Sequence, residues 1–271
     1  MQLGKRTLAF RTTAALAAVL GAATAAAQPA VSPGNSGLVA LGRDGVMDQP
    51  GHYVLNRDLD LNATAGRAGV MITADGVTLD LNGHNITGPG SLEGVGVMVE
   101  GARGVTIRNG RIADFGLNVH VLDSANVVLE DLQISGQGIP VAAPPPEIGV
   151  MIEQSANVTV RDNNFWNVGL GVFVRGGQSR GNRIVENTLT SAGAGLLGIC
   201  YNPTASDPQG PRGDLIAHNL ITGFNLGLQM SENSMYNIIQ ANTIAYRMGG
   251  SGFNINNDTN QMIDNTTVPL P

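Results

Sequence analysis

GVMITADGVTLDLNGHNI at 69–86 is followed by GVMVEGARGVTIRNGRI at 96–112. Both stretches alternate Val, Ile, Leu or Thr with other residues at period two, and both are broken by a glycine-containing turn. Such alternation predicts short strands with one buried face. Its near-duplication predicts that the chain winds the same path again.

The pattern extends along the chain. GVMIT at 69, GVMVE at 96, NVHVL at 118, GVMIE at 149 and GVFVR at 171 align, and GLLGI at 195, GLQMS at 227 and GFNIN at 252 continue it more weakly. A second set of strands follows, anchored on Ile107, Leu129, Val160, Ile184, Ile216 and Ile239, with steps of 22, 31, 24, 32 and 23 residues. The two long steps carry VAAPPPE (141–147) and NPTASDPQGPRGD (202–214), inserts that read as loops bulging from a regular coil. Leucine-rich repeats have a similar period but need Leu at fixed offsets and an Asn-x-Leu turn. The prediction is therefore an all-β, single-stranded right-handed parallel β-helix of about eight coils. Thirty-seven glycines and an aromatic content of 4% suit tight turns around a narrow aliphatic core.

Two columns follow from that register. Asn163, Asn187, Asn219 and Asn242 fall at one turn position, where stacked amides can bond along the axis. Asp80, Arg108, Glu130 and Arg161 alternate in sign on a neighbouring strand, so successive rungs about 4.8 Å apart attract.

The first 27 residues read as a secretory signal peptide: Lys5, Arg6 and Arg11 precede an apolar run from Ala14 to Ala23 and an Ala25-Ala26-Ala27 cleavage context. That run is shorter than the ~20 residues of a membrane span, and no later stretch is long and apolar enough to cross a bilayer. Residues 28–60, with Pro29, Pro33 and Pro50, are expected to cap the first coil, and 61–271 to form the β-helix domain. Removing three of the 15 Lys and Arg leaves 12 against 21 Asp and Glu, a formal charge of −9. This argues against nucleic acid as a partner, because such binding needs cations to displace counterions from phosphate. The only lysine, Lys5, lies in the signal, so the exported chain has no lysine chemistry, and the lone Cys200 makes no internal disulfide.

PGHYVLNRDLDL (50–61), DGVTLDLNGHNI (75–86) and the coil repeats resemble the bacterial right-handed parallel β-helix, pectin-lyase-like superfamily over residues 45–268. Members include pectate lyases, polygalacturonases, alginate-acting lyases and epimerases, and a periplasmic β-helix protein of a copper pathway. The resemblance implies the fold far more specifically than any one activity. The polygalacturonase signatures Asn-Thr-Asp, Asp-Asp, Gly-His-Gly and Arg-Ile-Lys are absent, and Asn82-Gly83-His84 is only an echo of one.

A lyase or epimerase must neutralise a uronate carboxylate, remove the neighbouring proton and stabilise the enolate, sometimes with Ca2+. Arg108 and Arg161 flanking Glu130 are the candidate clamp and His120 the candidate base, with Asp80, Phe173 and Arg175 as further substrate contacts. A solvated charge ladder is the plainer reading of the same residues. Between inward β-branched neighbours, Met71, Met98, His120 and Met151 face outward on consecutive rungs. Thioether plus imidazole is a ligand set for a soft ion such as Cu(I), and polarisable packing beneath a covering segment is the alternative.

The expectation is an exported protein, periplasmic or extracellular, that binds an extended polymer along a lateral groove walled by the loops at 138–147 and 201–214. Polysaccharide is the foremost ligand, and processing would be by lyase or epimerase chemistry. A copper-handling accessory and a non-catalytic envelope module are the competing readings.

Overall fold

The computed structural model describes residues 45–61, 68–138, 146–193, 195–247 and 249–270. The expected signal peptide, the first part of the expected cap and most of the 138–147 loop lie outside these described residues.

Within them the chain forms 25 short strands and no helix. Nine strands, from Gly45–Met47 to Ser251–Ile255, stack in parallel as one sheet. Sixteen make a second sheet with two arms, joined where Thr106–Ala113 and Val128–Ser135 run unbroken through a corner that other rungs turn. The solenoid thus has three faces. The first is the nine-stranded sheet, the second the arm from Gly51–Val54 to Gln261–Ile263, and the third the arm from Leu59–Asp60 to Thr266–Pro269. Nine stacked strands make eight winding steps, the coil number read from the repeat.

The period-two alternation fixes which side chains face inward. Val70, Ile72, Val97, Val99, Val119, Val121, Val172 and Val174 from the first face meet Ile107, Leu129, Val160, Ile184, Ile216 and Ile239 from the second, all fully buried or nearly so. The six anchors pair in one continuous register, Ile107 to Leu129 to Val160 to Ile184 to Ile216 to Ile239.

The amide column forms as its spacing predicts. Asn163 Nδ2 donates to Asn187 Oδ1 at 3.0 Å, Asn187 to Asn219 at 3.0 Å, Asn219 to Asn242 at 2.9 Å and Asn242 to Asn265 at 2.9 Å. Each amide also satisfies a buried carbonyl, as Asn187 does for Val160 at 2.8 Å. The preceding residues turn the corner with positive φ: Asp162 at 57°, Glu186 at 58° and His218 at 57°. Asp and His enter that region more readily than most side chains, whereas Glu186 and Ala241, at 58° and 52°, take it without such a preference at the same corner.

A glycine precedes the inward Val or Ile on most first-face strands for a steric reason. A Cβ on Gly171 would stand 2.4 Å from the carbonyl oxygen of Gly198 and 2.4 Å from Leu189 Cδ2, and one on Gly198 would stand 2.5 Å from the Gly227 oxygen. The chain bends inward here, against the third-face side chains.

Two expectations are corrected. Residues 45–60, assigned to the cap, form the first rung: Gly45–Met47, Gly51–Val54 and Leu59–Asp60 each pair in parallel with the coil above. The aligned run near 195 is not GLLGI but Gly198-Ile199-Cys200-Tyr201-Asn202, because Val172 pairs with Ile199 and Phe173 with Cys200. A glycine at both 195 and 198 allowed the three-residue slip.

Candidate functional site

On the first face the outward column reads Val46, Met71, Met98, His120, Met151, Phe173, Cys200, Gln229, Asn254, one residue per rung. Met71, Met98, His120 and Met151 are consecutive. The middle of this outward column is buried: His120 at 0%, Met151 and Cys200 at 1%, Phe173 at 7% exposure. With Leu117, Ile148 and Leu170 of the next column, Met151, Phe173 and Cys200 form an apolar cluster separate from the interior core. Burial in this apolar setting pushes the Cys200 thiol up to about 12, so it stays protonated.

His120 sits against an ion pair that the column alignment does not reveal. Its Nε2 lies 3.3 Å from Glu153 Oε2, while Glu153 Oε1 lies 3.3 Å from Arg175 Nε. Both contacts are close but off the line of a good hydrogen bond, and His120 Nδ1 has no partner among the described residues. The Arg175 guanidinium also stands 5.9 Å over the Phe173 ring, within cation–π range. Burial pulls the Glu153 carboxyl upward, but His120 and Arg175 outweigh it and hold the group below its ordinary value. Glu153 was missed from sequence because it lies one rung on and two residues off the His120 column.

The second face holds the charge ladder in the expected register: Asp80, Arg108, Glu130, Arg161. The charges pair off two by two. Arg108 Nε meets Asp80 Oδ2 at 3.1 Å, and Arg161 Nη2 contacts Glu130 Oε2. Burial raises the Asp80 carboxyl, yet hydrogen bonds from the Asn82 amide, Asn109 and Arg108 bring it below its ordinary value. Both arginines are thus engaged within the sheet. The structure separates His120, on the first face and fully buried, from Arg108, Glu130 and Arg161, so the proposed base and clamp do not converge.

The third face carries a feature that counting residue types obscured. Asn164-Phe165-Trp166 alternates out, in, out, which leaves Trp166 50% exposed, while Phe165 fills the core. In the Trp166 column the neighbours are small: Thr87, Ala113 and Ser135 before it, Thr190, Thr222 and Ala245 after it. The adjacent outward column presents Asn85, Arg111, Gln133, Asn164 and Thr188. Arg111 is held flat along the strand by Ser135 Oγ, at 3.2 Å from Nε and 2.8 Å from Nη2. A lone indole standing over a strip of small side chains, edged by amides and one guanidinium, makes an apolar shelf with a hydrogen-bonding rim. The sequence signal was the position of Trp166 in the alternation, since the scarcity of aromatics pointed the other way.

The 201–214 loop packs on the turn after Arg175, where Asp207 Oδ2 accepts from the Gly177 amide at 3.0 Å. Among the described residues no three His, Cys, Asp or Glu side chains gather as a metal site. No helix of the described residues is long and apolar enough to cross a membrane.

Residues 60–206 match the family model of the right handed beta helix region. The chain belongs to this family. Among solved structures, this β-helix protein is similar to an alginate lyase from Paenibacillus sp. str. FPU-7, at TM-score 0.55 and 13% identity, covering 85% of this chain and 92% of that one. It is also similar to a hyperthermoactive exopolygalacturonase from Thermotoga maritima, at TM-score 0.51 and 14% identity, over 80% of this chain and 54% of the other. A mutant tailspike protein of E. coli bacteriophage HK620 in complex with a pentasaccharide matches at TM-score 0.50 and 10% identity, over 86% and 56%. The chain thus spans about half the length of the latter two. These likenesses establish the solenoid, and no curated protein matches by sequence.

Proposed function

We propose that this protein is exported and binds an extended polysaccharide along its third face, with Trp166 as the stacking platform. The carrying observation is the exposed indole in a column of small side chains beside Arg111, Gln133 and Asn164. A sugar ring offers an apolar face to an aromatic and hydroxyls to amides, so this arrangement matches both of its chemistries. The strip repeats with each rung, at roughly 4.8 Å, which suits a ligand that itself repeats along a line. The solved relatives support the choice of ligand class, as the pentasaccharide-bound tailspike winds in the same way. A formal charge of −9 without the signal residues disfavours polyuronates, and Arg111 is the only cation in the two columns described, so a neutral or lightly charged chain is the expected ligand. Export rests on the N-terminal pattern of Lys5, Arg6, Arg11 and the apolar run from Ala14.

Trp166 is the single tryptophan, so its fluorescence reports on the site directly. Titration with a panel of neutral and acidic polysaccharides is expected to quench or shift that emission for at least one neutral chain. By the magnitude of an interface tryptophan, about 2 kcal/mol, Trp166→Ala weakens binding roughly 30-fold. Binding that survives Trp166→Ala unchanged removes the proposal. Absence of binding across the panel replaces it with a structural module, and appearance of shortened or unsaturated products adds processing to it.

A further inference from the structure

The outward column of the first face contains a polar group that nothing in the interior logic of a solenoid requires. His120 is fully buried on the outer surface of the sheet, between methionines on the rungs before and after it. A histidine in that position is costly unless both ring nitrogens are satisfied. One nitrogen, Nε2, faces the Glu153 carboxylate at 3.3 Å, and the other, Nδ1, has no partner among the described residues. Glu153 is itself anchored by Arg175 at 3.3 Å.

We propose that Met98, His120 and Met151 bind one soft monovalent cation of the copper(I) type through two thioethers and His120 Nδ1. Three arguments converge on it. Successive parallel strands lie about 4.8 Å apart, so side chains as long as methionine on the two flanking rungs can reach an ion held at the central one. Thioether with imidazole selects Cu(I) over the hard divalent ions, which prefer oxygen. Finally, a metal-bound imidazole typically gives its other N–H to a carboxylate that fixes the tautomer, and Glu153 occupies that place with Arg175 behind it. Met151 is 1% exposed and Met98 half-buried, so the ion enters from the Met98 side. Cys200 is two rungs beyond Met151, with Phe173 between them, and its burial holds it as a thiol outside the ligand set.

The test is an anaerobic titration of the purified exported chain with Cu(I), read by competition with a chromophoric Cu(I) chelator. One equivalent is expected to bind. The double variant Met98→Leu, Met151→Leu keeps apolar volume close to constant and is expected to weaken binding by more than tenfold, and Glu153→Gln by about tenfold. Cys200→Ser leaves the affinity as in the unaltered protein. Failure of the unaltered protein to take up Cu(I), equal affinity in the double variant, or loss of binding in Cys200→Ser each overturns the site. Circular dichroism of each variant verifies that the coil is intact, and Trp166 on the third face reports glycan binding separately, so the two proposals fail independently.

Discussion

Replacing Asp214 with Asn is expected to stabilise the protein, and by more as the pH rises. Asp214 occupies a second axial ladder, Asn182–Asp214–Asn237–Asn260, in which three of the four residues are amides. The Asn182 amide and its Nδ2 donate to the Asp214 carboxylate at 2.8 and 3.1 Å, and the Asp214 amide donates to Asn237 Oδ1 at 3.0 Å. Asn237 continues the ladder to Asn260 at 2.9 Å. The carboxylate is 1% exposed. Burial raises its pKa from 3.8 to about 6, against the lowering effect of the Asn182 donors. The Tyr201 hydroxyl lies against it but off the line of a good hydrogen bond, and is itself raised by burial and by the Asp214 charge. A step from 3.8 to about 6 corresponds to about 3 kcal/mol at 1.36 kcal/mol per pH unit. The sign follows from proton counting: between those values the folded state binds more protons than the unfolded chain, so stability falls as pH rises through 4 to 6 and the full penalty applies above 6. Asparagine carries no such penalty and supplies the Nδ2 donor that the other rungs have. Asp214→Asn should therefore gain about 2 kcal/mol near pH 7.5, about 4–8 °C in Tm for a domain of this size, and much less near pH 4.5. Chemical denaturation at both pH values measures it. Equal or lower stability near pH 7.5, or a gain that does not change with pH, refutes the reasoning.

Two other substitutions probe the same architecture. Asn187→Ala removes the partner of the Asn163 backbone amide and the side-chain donor to the Val160 carbonyl, while Asn219 Oδ1 keeps the Asn187 backbone N–H; at about 1–3 kcal/mol for each unpaired buried group that relaxation does not rescue, a loss of roughly 3 kcal/mol is expected in urea unfolding. Gly171→Ala drives a methyl to 2.4 Å from the Gly198 oxygen and should cost about 1–3 kcal/mol, read as a fall in Tm with the strand content unchanged.

The winding was legible because its determinants are local and repeated. Val70 and Ile72 alternate with Met71 as Val172 and Val174 do with Phe173, and the amide column kept its residue type over four rungs. Identity of type fails to reveal the second ladder, since Asp214 breaks it and the 202–214 insert stands before it. A third ladder was equally hidden. Ser124, Ser155 and Ser179 bond rung to rung at 3.0 and 3.3 Å, but serine is common in any turn and its stacking shows only once the register is fixed. Contacts that run diagonally escape column reading altogether. Glu153 aligns with Leu122 and Arg175, so its approach to His120 belongs to no column.

A solenoid separates the demands of folding from those of function by face. Inward positions vary little because every rung closes on the same narrow core, whereas an outward column is free to drift, as Val46, Met71, Met98, His120, Met151, Phe173, Cys200, Gln229 and Asn254 do along one line. A site then arises wherever drift sets compatible side chains on two or three neighbouring rungs. The three faces answer differently to that freedom. On the second, Asp80–Arg108 and Glu130–Arg161 neutralise each other in situ and leave no unspent charge for a ligand. On the first, His120 is buried with neither ring nitrogen in a well-aligned hydrogen bond among the described residues, and on the third Trp166 is half exposed. Unspent interaction capacity, rather than the mere presence of reactive residue types, is what distinguishes these two places from the rest of a surface built from the same repeat.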